Sequence, residues 1–154
     1  MDVNPTSDQA LLEELRRHRA ELRDSMSALE AALAAPASAD RARWSGRVHA
    51  ALLELAGDLR EHVDLTEGPT GLYRDVETTA PRLADAVAGL TRDHGLIGDQ
   101  VEKLLGRVAA ADGVTDPERV RGLGTALLGR LVRHRQRGSD LLFEAYQFDI
   151  GGET

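Results

Sequence analysis

With 154 residues, 42% hydrophobic and 29% charged, the chain is long enough for one domain with a sizeable core and has the composition of an ordinary globular protein. A net charge of −7, with the basic residues scattered along the chain, argues against a nucleic-acid surface, which needs clustered Lys and Arg. No apolar run approaches a membrane span, and the acidic, polar start MDVNPTSDQA lacks the basic and apolar segments of a signal peptide, so a cytoplasmic protein without membrane contact is expected.

Helix signals dominate. A first segment, about 7–34, has Ser7 or Asp8 as N-cap candidate, carries a stripe of Leu11, Leu15, Leu22, Met26, Leu29 and Leu33, and ends before Pro36. A second, about 40–66, starts from Asp40 as cap, places Val48, Leu52, Leu55 and Leu59 on one face, and is broken by Gly68-Pro69. The connection that follows, 68–81, is long for a bundle; its Leu72 and Tyr73 read either as a lid over the end of the second helix or as the apolar anchor of a plain crossover. The third segment, about 80–111, runs Leu83, Val87, Leu90, Ile97, Val101, Leu104 and Val108 in alternating steps of four and three. The fourth, about 116–147, opens with Asp116 as cap and Pro117 at the first helical position and continues through Val120, Leu123, Leu127, Leu131, Leu141 and Ala145. Phe143, Tyr146 and Phe148 near its end read as core aromatics or a homodimer contact, and the tail DIGGET reads as frayed. Strand signals are absent. The pattern predicts an all-α, up-down-up-down four-helix bundle forming one domain over 1–154.

Each stripe has one gap, and the gaps are filled by His18, His62, His94 and His134. A single histidine on an apolar face is more often a hydrogen-bonded core residue than a ligand. Seam positions are roughly two in seven of a helix. Four of the five histidines in seams, one per helix, is therefore an improbable accident, and His49 at a stripe edge reads as a flank residue. Counted from the helix turns, at about 1.5 Å rise per residue, His94 and His134 are level and His18 and His62 differ by about one turn, so the four converge on one region of the interior. With no cysteine in the chain, His, Asp and Glu are the strong metal ligands available, and imidazole suits iron, copper or zinc.

One histidine per helix, with EHVDLTEG closing the second helix and DHGLIGDQ in the third, resembles the hemerythrin-like (HHE cation-binding) family over essentially the whole chain. The resemblance implies non-haem iron, one or two ions, held by His18, His62, His94 and His134, with a small diatomic or oxidant ligand: dioxygen, peroxide or nitric oxide. It also implies bridging carboxylates one turn after the second and fourth histidines. Those positions hold Thr66 and Gly138 here, which leaves Glu67 as the nearest carboxylate; Gly98 stands where the third helix would carry a second histidine. Thr66, Gly98 and Gly138 are small residues one turn from three of the histidines and are expected to line a cavity. The competing expectation is a divergent bundle without irons that binds haem or another small ligand, or serves as a protein-interaction module. No Ser-His-Asp arrangement, phosphate-binding glycine loop or zinc-protease motif is present.

Overall fold

In the computed structural model, which describes residues 5–109 and 116–146, every regular element is helical. Four long helices, α1 (Pro5–Ala34), α2 (Arg41–Glu67), α4 (Ala84–Val108) and α5 (Pro117–Tyr146), are joined by a short α3 (Leu72–Thr79) and a single 3-10 turn (Pro81–Leu83) between α2 and α4. Helix α1 packs on α2 and α5, α2 on α4, and α4 on α5, so the four close a ring around a shared interior. No helix among the described residues is long and apolar enough to cross a membrane.

The caps follow from local chemistry. Asp40 accepts a hydrogen bond from the Arg43 backbone N–H at 3.0 Å, and Asp116 does the same for Arg119 at 3.1 Å, each satisfying an amide that has no partner in the first helical turn. At the other end of the chain the expectation changes. Helix α1 already includes Pro5, so it begins ahead of Ser7 and Asp8, where the start was expected; proline's fixed φ suits a first turn, where its missing N–H costs nothing. The third long helix likewise begins at Ala84, preceded by the 3-10 turn, because Pro81 supplies no amide to an earlier turn. The tail DIGGET and Phe148 lie outside the described residues. Phe143 is not a core aromatic: it is 56% exposed on the outer face of α5.

The seam residues fill two apolar clusters. The larger joins Leu22 to Leu33 of α1, Trp44 to Leu59 of α2, Ile97 to Val108 of α4 and Val120 to Leu131 of α5. The smaller gathers Leu15, Leu83, Val87, Leu90, Leu141 and Leu142 under Leu72, Tyr73 and Val76 of α3. The segment read as a loop with one anchor is thus largely an amphipathic helix packed over this end. Two glycines make the approach possible. A Cβ at Gly68 would stand 2.5 Å from the Asp64 carbonyl oxygen, and one at Gly71 would stand 2.7 Å from that of Thr66, so the chain folds back tightly only without side chains there. On each long helix the seam histidine separates residues of one cluster from residues of the other.

Candidate metal centre

Between the two apolar clusters the four imidazoles are contiguous. Ring centroids are 5.7 Å apart for His18 and His62, 4.9 Å for His62 and His94, 5.4 Å for His62 and His134, and 4.7 Å for His94 and His134. All four are at least nine-tenths buried. Three of them point the same nitrogen inward: Nε2 of His134 lies 3.0 Å from Nε2 of His94 and 3.3 Å from Nε2 of His62. His49 is half-buried and takes no part.

His18 is in the layer but is not one of the converging set. Its Nδ1 faces two exposed carboxylates, Glu61 at 3.6 Å and Glu21 at 3.9 Å, and its Nε2 is buried without a hydrogen bond. The stagger of about one turn between His18 and His62 in the sequence is consistent with this: the ring stacks on His62, at 20° to it, and does not meet the other nitrogens.

The far nitrogens of two converging rings are held by carboxylates. His94 Nδ1 is 2.5 Å from Glu67, and His134 Nδ1 is 2.8 Å from Asp93. Glu67, the last residue of α2, therefore stands behind the His94 ring and not among the inward-facing nitrogens. Carboxylates in this position fix which nitrogen of a histidine carries the proton and aim the ring. Asp93 is the residue that sequence reasoning missed. It is buried on α4, next to His94 in the chain, and Arg130 at 2.9 Å and Arg137 at 2.6 Å each bind one of its oxygens. Burial by itself would raise the Asp93 pKa, but hydrogen bonds from Arg130 and His134 and the positive charge of Arg137 hold it below the usual carboxylate range. A signal existed: Arg130 and Arg137 flank His134 at minus four and plus three, so all three share a face of α5, and that face needs an acid opposite.

These contacts set the protons. An ionised carboxylate only accepts, so Nδ1 of His134 donates to Asp93 and Nδ1 of His94 donates to Glu67. Neutral rings in those tautomers present bare lone pairs at Nε2, and the two lone pairs face each other across 3.0 Å. A proton between them would relieve the repulsion. Desolvation and the neighbouring His94 oppose it, pushing His134 down to about 4 in spite of Asp93. His62 is also pushed well below the ordinary histidine value, by burial first and then by His94, His134 and His18.

Thr66 and Gly138 line one side of the site, with His62, His134, Tyr73 and Leu142, around a cavity of about 20 Å³, room for about one water-sized molecule. Gly98 does not share that cavity; it lines an apolar groove of about 470 Å³ between α2 and α4 that also touches His94. Thr66 donates its hydroxyl to the His62 carbonyl at 2.7 Å, which leaves it no unmet donor. Tyr73 of α3 stacks on His94 at 5.8 Å and 12°, closing the site from the capped end. Burial, partly offset by the Thr66 hydroxyl, pushes its phenol up, so it remains a neutral wall.

Compared with known protein families, curated proteins and solved structures, the chain matches none.

Proposed function

We propose that this protein is a hemerythrin-like metal-binding protein: an up-down-up-down four-helix bundle, one domain, in which His62, His94 and His134 hold a transition-metal ion, non-haem iron, that takes dioxygen, peroxide or nitric oxide as its ligand. The observation that carries the reading is the pair of opposed lone pairs on His94 and His134, each fixed by a carboxylate on its far nitrogen. A cation bound by both nitrogens removes the conflict, and burial disfavours a proton on His134. The spacing agrees: two nitrogens about 2.1 Å from one ion and about 90–110° apart lie about 3.0–3.4 Å from each other, and the inward nitrogens are 3.0 and 3.3 Å apart.

Three imidazoles leave coordination positions open, and an ion there would supply a binding position for a small ligand. The protein's own residues do the rest. Asp93 and Glu67 orient two rings and raise their basicity, the small cavity beside Thr66 and Gly138 limits the ligand to a few atoms, and the apolar clusters with Tyr73 cover the layer from both ends. With Glu67 behind His94 and Gly138 carrying no side chain, no carboxylate among the described residues stands with the inward-facing nitrogens as a bridge, so one ion per site is proposed and not two.

The test is metal content by elemental analysis of protein produced with iron supplied. One iron per chain is expected, lost in His62→Ala, His94→Ala and His134→Ala and kept in His49→Ala, with nitric oxide giving a paramagnetic adduct of the ferrous form. Iron that is far below stoichiometric and unaffected by His62→Ala would overturn the reading.

A further inference from the structure

The second feature of the molecule that calls for a ligand is on the outside of the α4–α5 pair. Arg92 of α4 and Arg130, Arg133 and Arg137 of α5 line one cleft of about 600 Å³ together with Gln136 and Asp93. Four guanidinium groups against one carboxylate give the cleft a local charge of 4 − 1 = +3, on a chain whose total is −7. The chain sequence scatters its arginines; the pairing of α4 with α5 is what brings these four together.

Asp93 shows what the cleft accepts. Its two oxygens are bound by Arg130 and Arg137 from two directions, the arrangement in which guanidinium forks hold an oxyanion. Arg92 and Arg133 are exposed, and among the described residues no carboxylate lies in ion-pair range of either. Gly89, which also lines the cleft, leaves its α4 edge low. Asp93 offsets one of the four charges, and the excess that remains repels; an anion of more than one charge offsets that cost. The volume is in the range of small-molecule sites, which are commonly about 300–1,000 Å³.

We infer that this cleft is a phosphate-binding site, taking free phosphate or a small phosphate ester across Arg92, Arg130, Arg133 and Arg137. Phosphate fits better than a carboxylate because it carries nearly two charges and offers three oxygens to planar donor forks. The cleft adjoins the histidine layer through Asp93, which Arg130 and Arg137 share with His134, but the exposed Arg92 and Arg133 touch none of the inward-facing histidines, so the inference does not rest on the metal.

The experiment is calorimetric titration of the full chain with inorganic phosphate, glycerol phosphate and acetate at one fixed ionic strength, which removes the general screening effect of added salt. Saturable phosphate binding is expected, with acetate much weaker. Arg92→Ala with Arg133→Ala should weaken phosphate at least about tenfold, since two charge-assisted donors are lost, whereas Arg47→Ala with Arg107→Ala, on other faces, should leave it unchanged. Glycerol phosphate binding more tightly than phosphate would identify the source as an ester; equal affinity would identify the free ion. No saturable binding, acetate binding as well as phosphate, or equal loss in the two double variants would overturn the inference. All four substituted arginines are exposed, and a circular dichroism melt checks that each variant is folded.

Discussion

The two apolar clusters on either side of the histidine layer are built by different rules. The larger uses long helices in a regular three-and-four spacing, and its centre is dry: Leu52, Leu55, Leu127 and Leu131 have no exposed surface. Arg121, over the Trp44 ring at 5.1 Å, joins α5 to α2, and its guanidinium also donates to the Leu33 and Ala35 carbonyls. The smaller cluster depends on a short crossover helix whose inner face is Leu72, Tyr73 and Val76 and whose outer face hydrogen-bonds to α5 through Asp75 and Tyr146. One end supplies stability by volume; the other closes a polar layer with few residues. Most of the buried volume therefore lies in one half of the molecule, and the cover over the histidine layer, with Tyr73, in the other.

The largest break in that comparison comes from Leu52→Ala, which empties a fully buried position and should cost about 2–5 kcal/mol in urea unfolding. Metal content should not change, because the substitution lies in the regular half. A loss of metal proportionate to the loss of stability would show that the halves are coupled.

Acid acts on the layer between them. His134 is held down to about 4 in the folded chain and His62 is shifted in the same direction, so the unfolded chain takes up protons first. The stability these rings contribute is complete above the unfolded value of about 6.5 and is lost as pH falls toward 4, on the order of 3 kcal/mol for His134 alone. Melting temperature of metal-free protein against pH measures it, and His134→Gln should flatten the fall. An unchanged slope in that variant would remove His134 from the explanation.

Asp93→Asn tests the support of the site from the α4 side. It leaves the His134 ring in place but weakens the acceptor that fixes its tautomer, and metal affinity should drop about 10–100-fold. Competition with a chelator of known affinity reads this directly.

Val76→Ala thins the capping cluster at a fully buried position by about two methyl-sized groups, for about 1.5 kcal/mol. Its sharper effect should be kinetic, with faster metal loss to chelator and faster amide exchange in α3 than Leu52→Ala produces. Equal effects from the two variants would erase the distinction between the halves.

The smallest change expected is a gain. A Cβ at Gly98 meets nothing within 4 Å, and one at Gly138 approaches only Arg19 Nη1 at 3.9 Å, so alanine at either position should stabilise its helix by up to about 1 kcal/mol. Gly124 differs: its Cβ would stand 2.4 Å from a Leu33 methyl carbon, and alanine there should destabilise the regular half.

Much of this was legible from one dimension. The stripes of α2 and α4, the caps Asp40 and Asp116, and the histidine in each seam follow from local periodicity, because a helix has a fixed rise and turn and any residue four positions on returns to the same face. Position in the seam placed His18, His62, His94 and His134 in one layer. It did not decide which nitrogen each ring presents, and that is what separates the converging three from His18. Ring orientation depends on partners from other helices: Glu67 of α2 on His94 of α4, and Asp93 of α4 on His134 of α5. Gly98 and Gly138 look equivalent along the chain yet face different spaces, because the neighbouring helix determines what lies beyond a missing side chain. The crossover helix and the arginine cleft are of the same kind. The apolar face of eight residues, Leu72–Thr79, is too short to declare itself by period, and arginines 38 and 45 positions apart become neighbours only when α4 lies on α5. Helical period is a property of the chain alone; the direction of an imidazole and the sign of a cleft are properties of what packs against it.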